Sequence, residues 1–448
     1  MTHLPATGIS GSAGSAGTFP LEWCRGKFPA LNRQIDGRPA VFFDGPAGSQ
    51  VPECVIEAIT AYLRTSNANH GGLFATSRES DAMLDAAHQA LADLFGAADP
   101  ECVVFGANMT TLTFSLSRAL ARTWRAGDEI IVTRLDHDAN VSPWILAARD
   151  AGATVQHLAI HPQDCTLDLD DLRRKLSSRT RLVAVGAASN AVGTINPVAE
   201  ICRMAHAVGA EVFVDAVHAA PHLLPDVAAW DCDWLAASAY KFFGPHVGVL
   251  WGRSDRLGQL EAYKLRPAPN SLPGKWMTGT QNHECIAGAL AAVDYLAALG
   301  LAVGSGAVGS PVLRSGAAGR RAALTAAYAA IGDYERQLAA HLLTGLSKLT
   351  SVQVFGIVEP ARLAERVPTF GIRHANLKPG ALAEWLAARG IFVWHGNFYA
   401  LPLTEALNLE PDGLVRIGLL HYNTIAEIDR LLSALSELER SSTSGFPA

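Results

Sequence analysis

The stretch Asp231-Cys-Asp-Trp-Leu-Ala-Ala-Ser-Ala-Tyr-Lys-Phe-Phe-Gly-Pro-His-Val-Gly248 sets one lysine, Lys241, among apolar, hydroxylic and small residues just after a strand-like run. A buried ammonium is costly unless it has a task, such as forming a Schiff base; the plainer reading is that it snorkels to solvent from the strand end. Taken alone, the segment leaves both open. Working outward, short apolar or β-branched runs recur at Cys102 to Phe105, Glu129 to Thr133, Thr154 to Leu158, Arg181 to Gly186, Glu211 to Asp215, Trp234 to Ala237 and Val247 to Trp251. Most are separated by amphipathic stretches, the signature of crossover units and a largely parallel sheet in an α/β domain.

Polar groups follow four of these runs. Asp215 ends its strand, where open α/β sheets bind ligands, and there it can keep a pyridine nitrogen protonated or merely cap a turn. His137, in Asp136-His137-Asp-Ala-Asn140, offers an imidazole able to stack on an aromatic ring, and Asn190 supplies a short amide. The fifth piece, Gly106-Ala-Asn108-Met109-Thr110-Thr111, joins a strand to an amphipathic helix whose first amides and dipole favour a phosphate. Each has an ordinary structural reading, and their convergence outweighs any single match.

Composition narrows the class. The chain has 448 residues, 49% hydrophobic and 17% charged, with a net charge of −6. It suits a large domain with a smaller companion. No basic block points to nucleic acid, and no run of about 18 apolar residues suggests a membrane span. Its 7 cysteines are scattered, with no Cys-x-x-Cys pair. A small-molecule substrate and a cytoplasmic location are therefore expected.

The expected organisation is a flexible tail over 1–20, a segment over 21–40 packing on the small domain, and a large domain over 41–299. A Gly/Ala/Ser/Val-rich connection at 300–320, a small α+β domain at 321–440 and a tail at 441–448 complete it. Within the small domain the pattern predicts a helix from about Ala322 to Leu349. Strands follow at Val352 to Gly356, Thr369 to Arg373, Ile391 to His395 and Leu414 to Ile417, and a last helix begins after Asn423 as its cap.

In this order the motifs resemble the class V aminotransferase family of fold-type I pyridoxal-phosphate enzymes, and most closely its cysteine desulfurase and selenocysteine lyase branch, over about 40–438. The resemblance implies a mostly parallel seven-stranded sheet, a cofactor of pyridoxal 5'-phosphate, and a homodimer. It makes Lys241 the Schiff-base lysine, pairs Asp215 with the pyridinium nitrogen, stacks His137 on the ring and sets Asn190 and His218 near the ring hydroxyl. Phosphate contacts are implied for Asn108, Met109, Thr110, Ser238 and Tyr240, with Thr280 reaching across from a partner subunit. Arg416 is implied as the clamp for a substrate α-carboxylate, a planar anion that suits a guanidinium.

The departures bear on the reaction. In Gly390-Ile-Phe-Val-Trp394-His395-Gly396-Asn397-Phe398-Tyr399, similar to the desulfurase active-site loop, Tyr399 stands where that branch carries its persulfide-forming cysteine. The resemblance also has arginine for Trp394, glutamine for His218 and histidine for Tyr240. A tyrosine hydroxyl cannot carry persulfide sulfur, so no sulfur acceptor protein is expected. Cys232 and Cys285 are the nearest alternative thiols in sequence, and both read more readily as structural.

His395, Asn397 and Tyr399 are then the groups expected to steer an amino-acid substrate, with β-elimination or C–S cleavage favoured over epimerisation or transamination. Tyr399 reads equally as a proton donor or as an aromatic cover. A binding protein that kept the fold and lost catalysis is the rival of another class, against which the retention of Lys241, Asp215, His137 and Arg416 argues. A nicotinamide enzyme would need a glycine-rich turn after its first strand, and no His-Glu-x-x-His supports a metal.

Overall fold

The computed structural model describes residues 19–305 and 317–443. Most of the expected tails and residues 306–316 of the expected connection lie outside them. A short helix α1 (Leu21–Arg25), strand β1 (Val41–Phe42) and helices α2 (Glu53–Thr65) and α3 (Ala75–Phe95) precede the central sheet. That sheet is formed by β2 (Val103–Gly106), β3 (Glu129–Thr133), β4 (Thr154–Leu158), β5 (Thr180–Gly186), β6 (Glu211–Asp215), β7 (Trp234–Ser238) and β8 (Gly248–Gly252).

The spatial order is β2-β8-β7-β6-β5-β3-β4. Only β8 runs against its neighbours. Helices cover both faces, which is why the strands read as continuous apolar runs rather than alternating ones. The register levels the carboxyl ends: Asp215 lies opposite Gly186 and Ala236, while Gly248 pairs with both Ser238 and Gly106. Gly248 has to be glycine, because a Cβ there would stand 2.3 Å from the carbonyl carbon of Asn108.

A second sheet is antiparallel, built from β9 (Val352–Phe355), β10 (Thr369–His374), β12 (Trp394–Gly396) and β13 (Leu414–Gly418) in the order β9-β10-β13-β12. The single strand expected from Ile391 to His395 divides: β11 (Ile391–Phe392) pairs in parallel with β1, and the chain then turns into β12 against β13. Helices α5 (His283–Ser305), α6 (Ala317–Leu346) and α7 (Ile425–Thr443) complete the frame.

Among the described residues α5 alone is long and apolar enough to cross a membrane, over His283–Val303. Most of that stretch is buried, and α5 packs against α2, α3 and α6. Thr424, not Asn423, caps α7: its hydroxyl accepts the Glu427 N–H at 3.1 Å and the Glu427 carboxylate accepts the Thr424 N–H at 2.9 Å, a reciprocal capping box. Asn423 instead accepts from the Leu420 N–H and donates to the Phe42 carbonyl.

Two apolar cores result. Cys24, Phe28 and Leu31 of the first segment are buried in the larger core, whereas Val41 and Phe43 belong to the smaller one beside Phe370, Val415 and Leu431. Phe19, within the expected tail, stacks on Tyr334 at 4.4 Å. The expected connection is helical at both ends. Gly300 sits where α5 crosses α6 so closely that a Cβ would come within 1.8 Å of the Ala323 carbonyl oxygen. Glycine there permits helix contact rather than a loose link.

Candidate active site

The carboxyl ends of β2, β3, β5, β6 and β7 surround a cavity of about 570 Å³. Ten of the residues expected to hold a cofactor line it: Asn108, Met109, Thr110, His137, Asn190, Asp215, His218, Ser238, Tyr240 and Lys241. At one end α4 (Met109–Ala121) presents its N-terminus, shaped by a capping box in which Asn108 Oδ1 accepts the Thr111 N–H at 2.9 Å. The Met109 N–H donates to Ser238 Oγ at 3.0 Å, tying this turn to the end of β7. First-turn amides and the helix dipole make this the anion-binding end.

Asp215 lies on β6 with Oδ1 accepting the Val217 N–H at 2.8 Å. Burial pushes its carboxyl up to about 7; the Asp136 charge adds to this, while the Val217 N–H and Lys241 oppose it. Such a carboxylate is completed by a cationic or N–H partner. Asp136 itself accepts from the Gly186 N–H and from Asn140 Nδ2, both at 2.8 Å, and so fixes the loop after β3 to β5. His137 Nδ1 accepts the Ala139 N–H at 3.0 Å, and burial pushes the imidazole down to about 4, so the ring is neutral. His218 Nε2 meets Thr369 Oγ1 at 3.0 Å and is likewise held well below the usual range by burial.

Lys241 Nζ donates to the Pro46 and Ala47 carbonyls, the latter at 3.0 Å. Burial pushes the amine down to about 7, with the Arg416 charge adding to the effect and Asp215 opposing it. A lysine at that value is substantially unprotonated near neutrality, as an amine that attacks an aldehyde must be. It does not snorkel. Asn190 Oδ1 is a buried acceptor without a partner, while its Nδ2 donates to the Phe398 carbonyl at 2.9 Å.

Arg416 is buried on β13, outside the cavity wall proper. Its Nη1 donates to the Asn190 carbonyl at 2.9 Å and its guanidinium lies 4.3 Å from the Phe398 ring centre. It is in no ion pair among the described residues, and burial lowers it to about 9. Tyr240 and Asp44 oppose that lowering without forming an ion pair, and a buried cation with no carboxylate in direct contact is a ready anion seat.

Several expected residues are placed elsewhere. Thr280 is exposed and off the cavity, so within one chain it is no phosphate contact. Asn397 is engaged by its own loop, accepting the Tyr399 N–H at 3.1 Å and donating to Glu410 at 3.2 Å, and it is off the cavity wall. His395 is exposed on the edge strand β12, also off the cavity. Tyr399 is 71% exposed and stacks on His137 with ring centres 5.4 Å apart. Both Phe398 and Tyr399 have positive φ, 56° and 57°, a strained pair for side-chain-bearing residues.

No cysteine lines the cavity: Cys232 is buried, and Cys285 is half-buried and off it. Among the described residues no group of three or more His, Cys, Asp or Glu is placed to hold a metal. Asp136, His246, Thr369 and the Pro46–Ala47 carbonyls went unread in the sequence. The carbonyls have no side-chain signal at all, and His246 differs from other surface histidines only by following the lysine closely.

The family model for class V aminotransferases matches residues 41–304 and 315–431. The chain belongs to the class V aminotransferase family. A cysteine desulfurase of Cronobacter sakazakii is 32% identical over 442 residues, covering 94% of this chain and 99% of that protein. One of Synechococcus elongatus is 30% identical over 98% of this chain and 67% of its own. Among solved structures, an apo cysteine desulfurase from Thermococcus onnurineus superposes with a TM-score of 0.81 at 25% identity, covering 94% of this chain and 98% of that one. A cysteine desulfurase from Escherichia coli gives 0.79 at 26%, over 94% and 98%.

This class V enzyme accordingly has the fold-type I architecture and uses pyridoxal 5'-phosphate. Its residues fit that group. An anion-binding helix start, an amine lowered to about 7 and a buried carboxyl raised to about 7 match a phosphate, an aldehyde and a ring nitrogen.

Proposed function

We propose that this protein is a pyridoxal-phosphate lyase that removes a β-substituent, most readily sulfur, from an amino acid and releases it to solution. The observation that carries the reading is the pairing of a carboxylate-seeking cation, Arg416, with a cavity that contains Lys241 and no thiol. Similarity to cysteine desulfurases supports C–S cleavage; the Tyr399 loop supports a route without sulfur on the protein.

The cofactor, when bound, supplies an aldehyde for the substrate amine and a ring that withdraws electrons from the substrate Cα. Arg416 holds the α-carboxylate and thereby orients the Cα–H bond. Lys241 Nζ takes the Cα proton, a role suited to an amine near 7. Asp215 holds charge at the ring nitrogen, neutral His137 covers the ring without adding charge, and Asn190 Oδ1 offers its free acceptor to the bound pair. Departure of the β-substituent leaves a product that water converts to pyruvate and ammonia, so no oxidant or acceptor thiol is required. A homodimer, with Thr280 of the partner subunit completing the phosphate end, belongs to this reading.

The test is a panel of amino acids incubated with holoenzyme while pyruvate, ammonia, alanine and free sulfide are measured. Equimolar pyruvate and sulfide from cysteine, or equimolar pyruvate and the corresponding thiol from a thioether analogue, are expected. Alanine with sulfur transferred to an added thiol, or inversion at Cα with the side chain intact, overturns the proposal.

A further inference from the structure

The phosphate end of the cavity has a charge problem that its expected ligands do not solve. Asn108, Thr110, Ser238 and Tyr240 are neutral, and one of the first-turn N–H groups, that of Met109, is already given to Ser238 Oγ at 3.0 Å. Four lining residues can carry positive charge: His137, His218, Lys241 and His246. Burial keeps His137 and His218 neutral, and their rings are engaged with the Ala139 N–H and Thr369 Oγ1. Lys241 is committed to the aldehyde.

That leaves His246. It is exposed to solvent, forms no hydrogen bond or ion pair among the described residues, and stacks nearly parallel on Tyr240 with ring centres 4.9 Å apart and planes at 13°. Two residues on, Gly248 packs against the backbone of Asn108, so the segment that carries His246 runs beside the helix start. We propose that His246 is a phosphate-binding residue of the cofactor site, its imidazole held by the Tyr240 ring to donate to a phosphate oxygen seated on the α4 N-terminus. An imidazole N–H donor beside a helix N-terminus strengthens an anion site beyond what the amides alone provide. The inference rests on the cofactor assignment but not on the reaction.

The experiment compares two ligands on full-length apoprotein, pyridoxal 5'-phosphate and pyridoxal, which differ only in the phosphate. Titrations are followed by visible absorbance, for wild type, His246→Ala, His246→Gln and His246→Arg. Loss of one charge-assisted hydrogen bond is expected to weaken the phosphorylated ligand about tenfold in His246→Ala. Pyridoxal affinity should be unchanged, and His246→Arg should recover most of the loss. A displaced ³¹P resonance of bound cofactor in His246→Gln gives an independent readout, carrying the test if the alanine variant does not fold. Equal weakening of both ligands, no weakening of either, or an unmoved ³¹P signal overturns the proposal. Failure of the cofactor assignment would look different, since wild type would then bind neither ligand.

Discussion

Replacing Lys241 by methionine should make the cofactor-free protein more stable while abolishing its chemistry. The substitution keeps most of the length of the side chain and removes the amine. Lowering that amine from its ordinary 10.5 to about 7 by burial corresponds to about 5 kcal/mol of penalty at 1.36 kcal/mol per pH unit. The residue borders an open cavity and its ammonium has carbonyl acceptors at Pro46 and Ala47, so roughly half, about 2 kcal/mol, is expected to be realised.

The pH dependence follows from the sign. Below about 7 the amine is protonated in both folded and unfolded chains and the penalty is complete. Between about 7 and 10.5 the folded chain has lost the proton that the unfolded chain keeps, so wild-type stability rises with pH and the advantage of Lys241→Met shrinks. Urea unfolding of both apoproteins at pH 6.5 and pH 9.5 measures this. A variant no more stable than wild type at the lower pH, or an advantage that does not diminish at the higher, refutes the assignment of a desolvated amine.

Arg416→Lys should raise KM for the amino acid by about 10- to 100-fold with a smaller change in kcat, because a point charge replaces a planar donor pair; steady-state kinetics with the substrate and its decarboxylated amine check it, and the amine should not notice the change. Asp215→Ala should lower kcat by about a hundredfold or more, since it strips a buried partner from the ring nitrogen, and the holoenzyme spectrum should change with it. Tyr399→Phe is expected to alter kcat by less than about threefold, because the exposed ring keeps its stack on His137 without the hydroxyl; a loss of about a hundredfold would make that hydroxyl a proton donor.

The central sheet was legible because buried parallel strands leave a signal that short-range reading detects: all seven runs became strands, and Glu129–Thr133, Thr154–Leu158 and Glu211–Asp215 matched to the residue. Lys241, Asp215 and His137 were legible for a related reason, each lying at the end of such a run. Groups that reach the site from far along the chain were not. Thr369, which meets His218, and Phe398, which covers Arg416, owe their positions to contacts between distant segments, and the hold of its own loop on both ends of the Asn397 amide left no mark in the sequence. Near residue 41 the sequence did not show that Val41 and Phe43 enter one apolar interior and Phe42 the other, because an extended segment carries no mark of which it will join.

That segment has a consequence for how the polypeptide acquires its shape. Val41–Phe42 lies in register with Ile391–Phe392, some 350 positions later, while Phe28 is already anchored in the other interior. During synthesis the early residues must therefore wait, unpaired, until nearly the whole molecule has left the ribosome. An excised piece spanning 317–443 would emerge with an uncovered strand edge and a gap where Val41 and Phe43 belong, and would be prone to stick to its own copies.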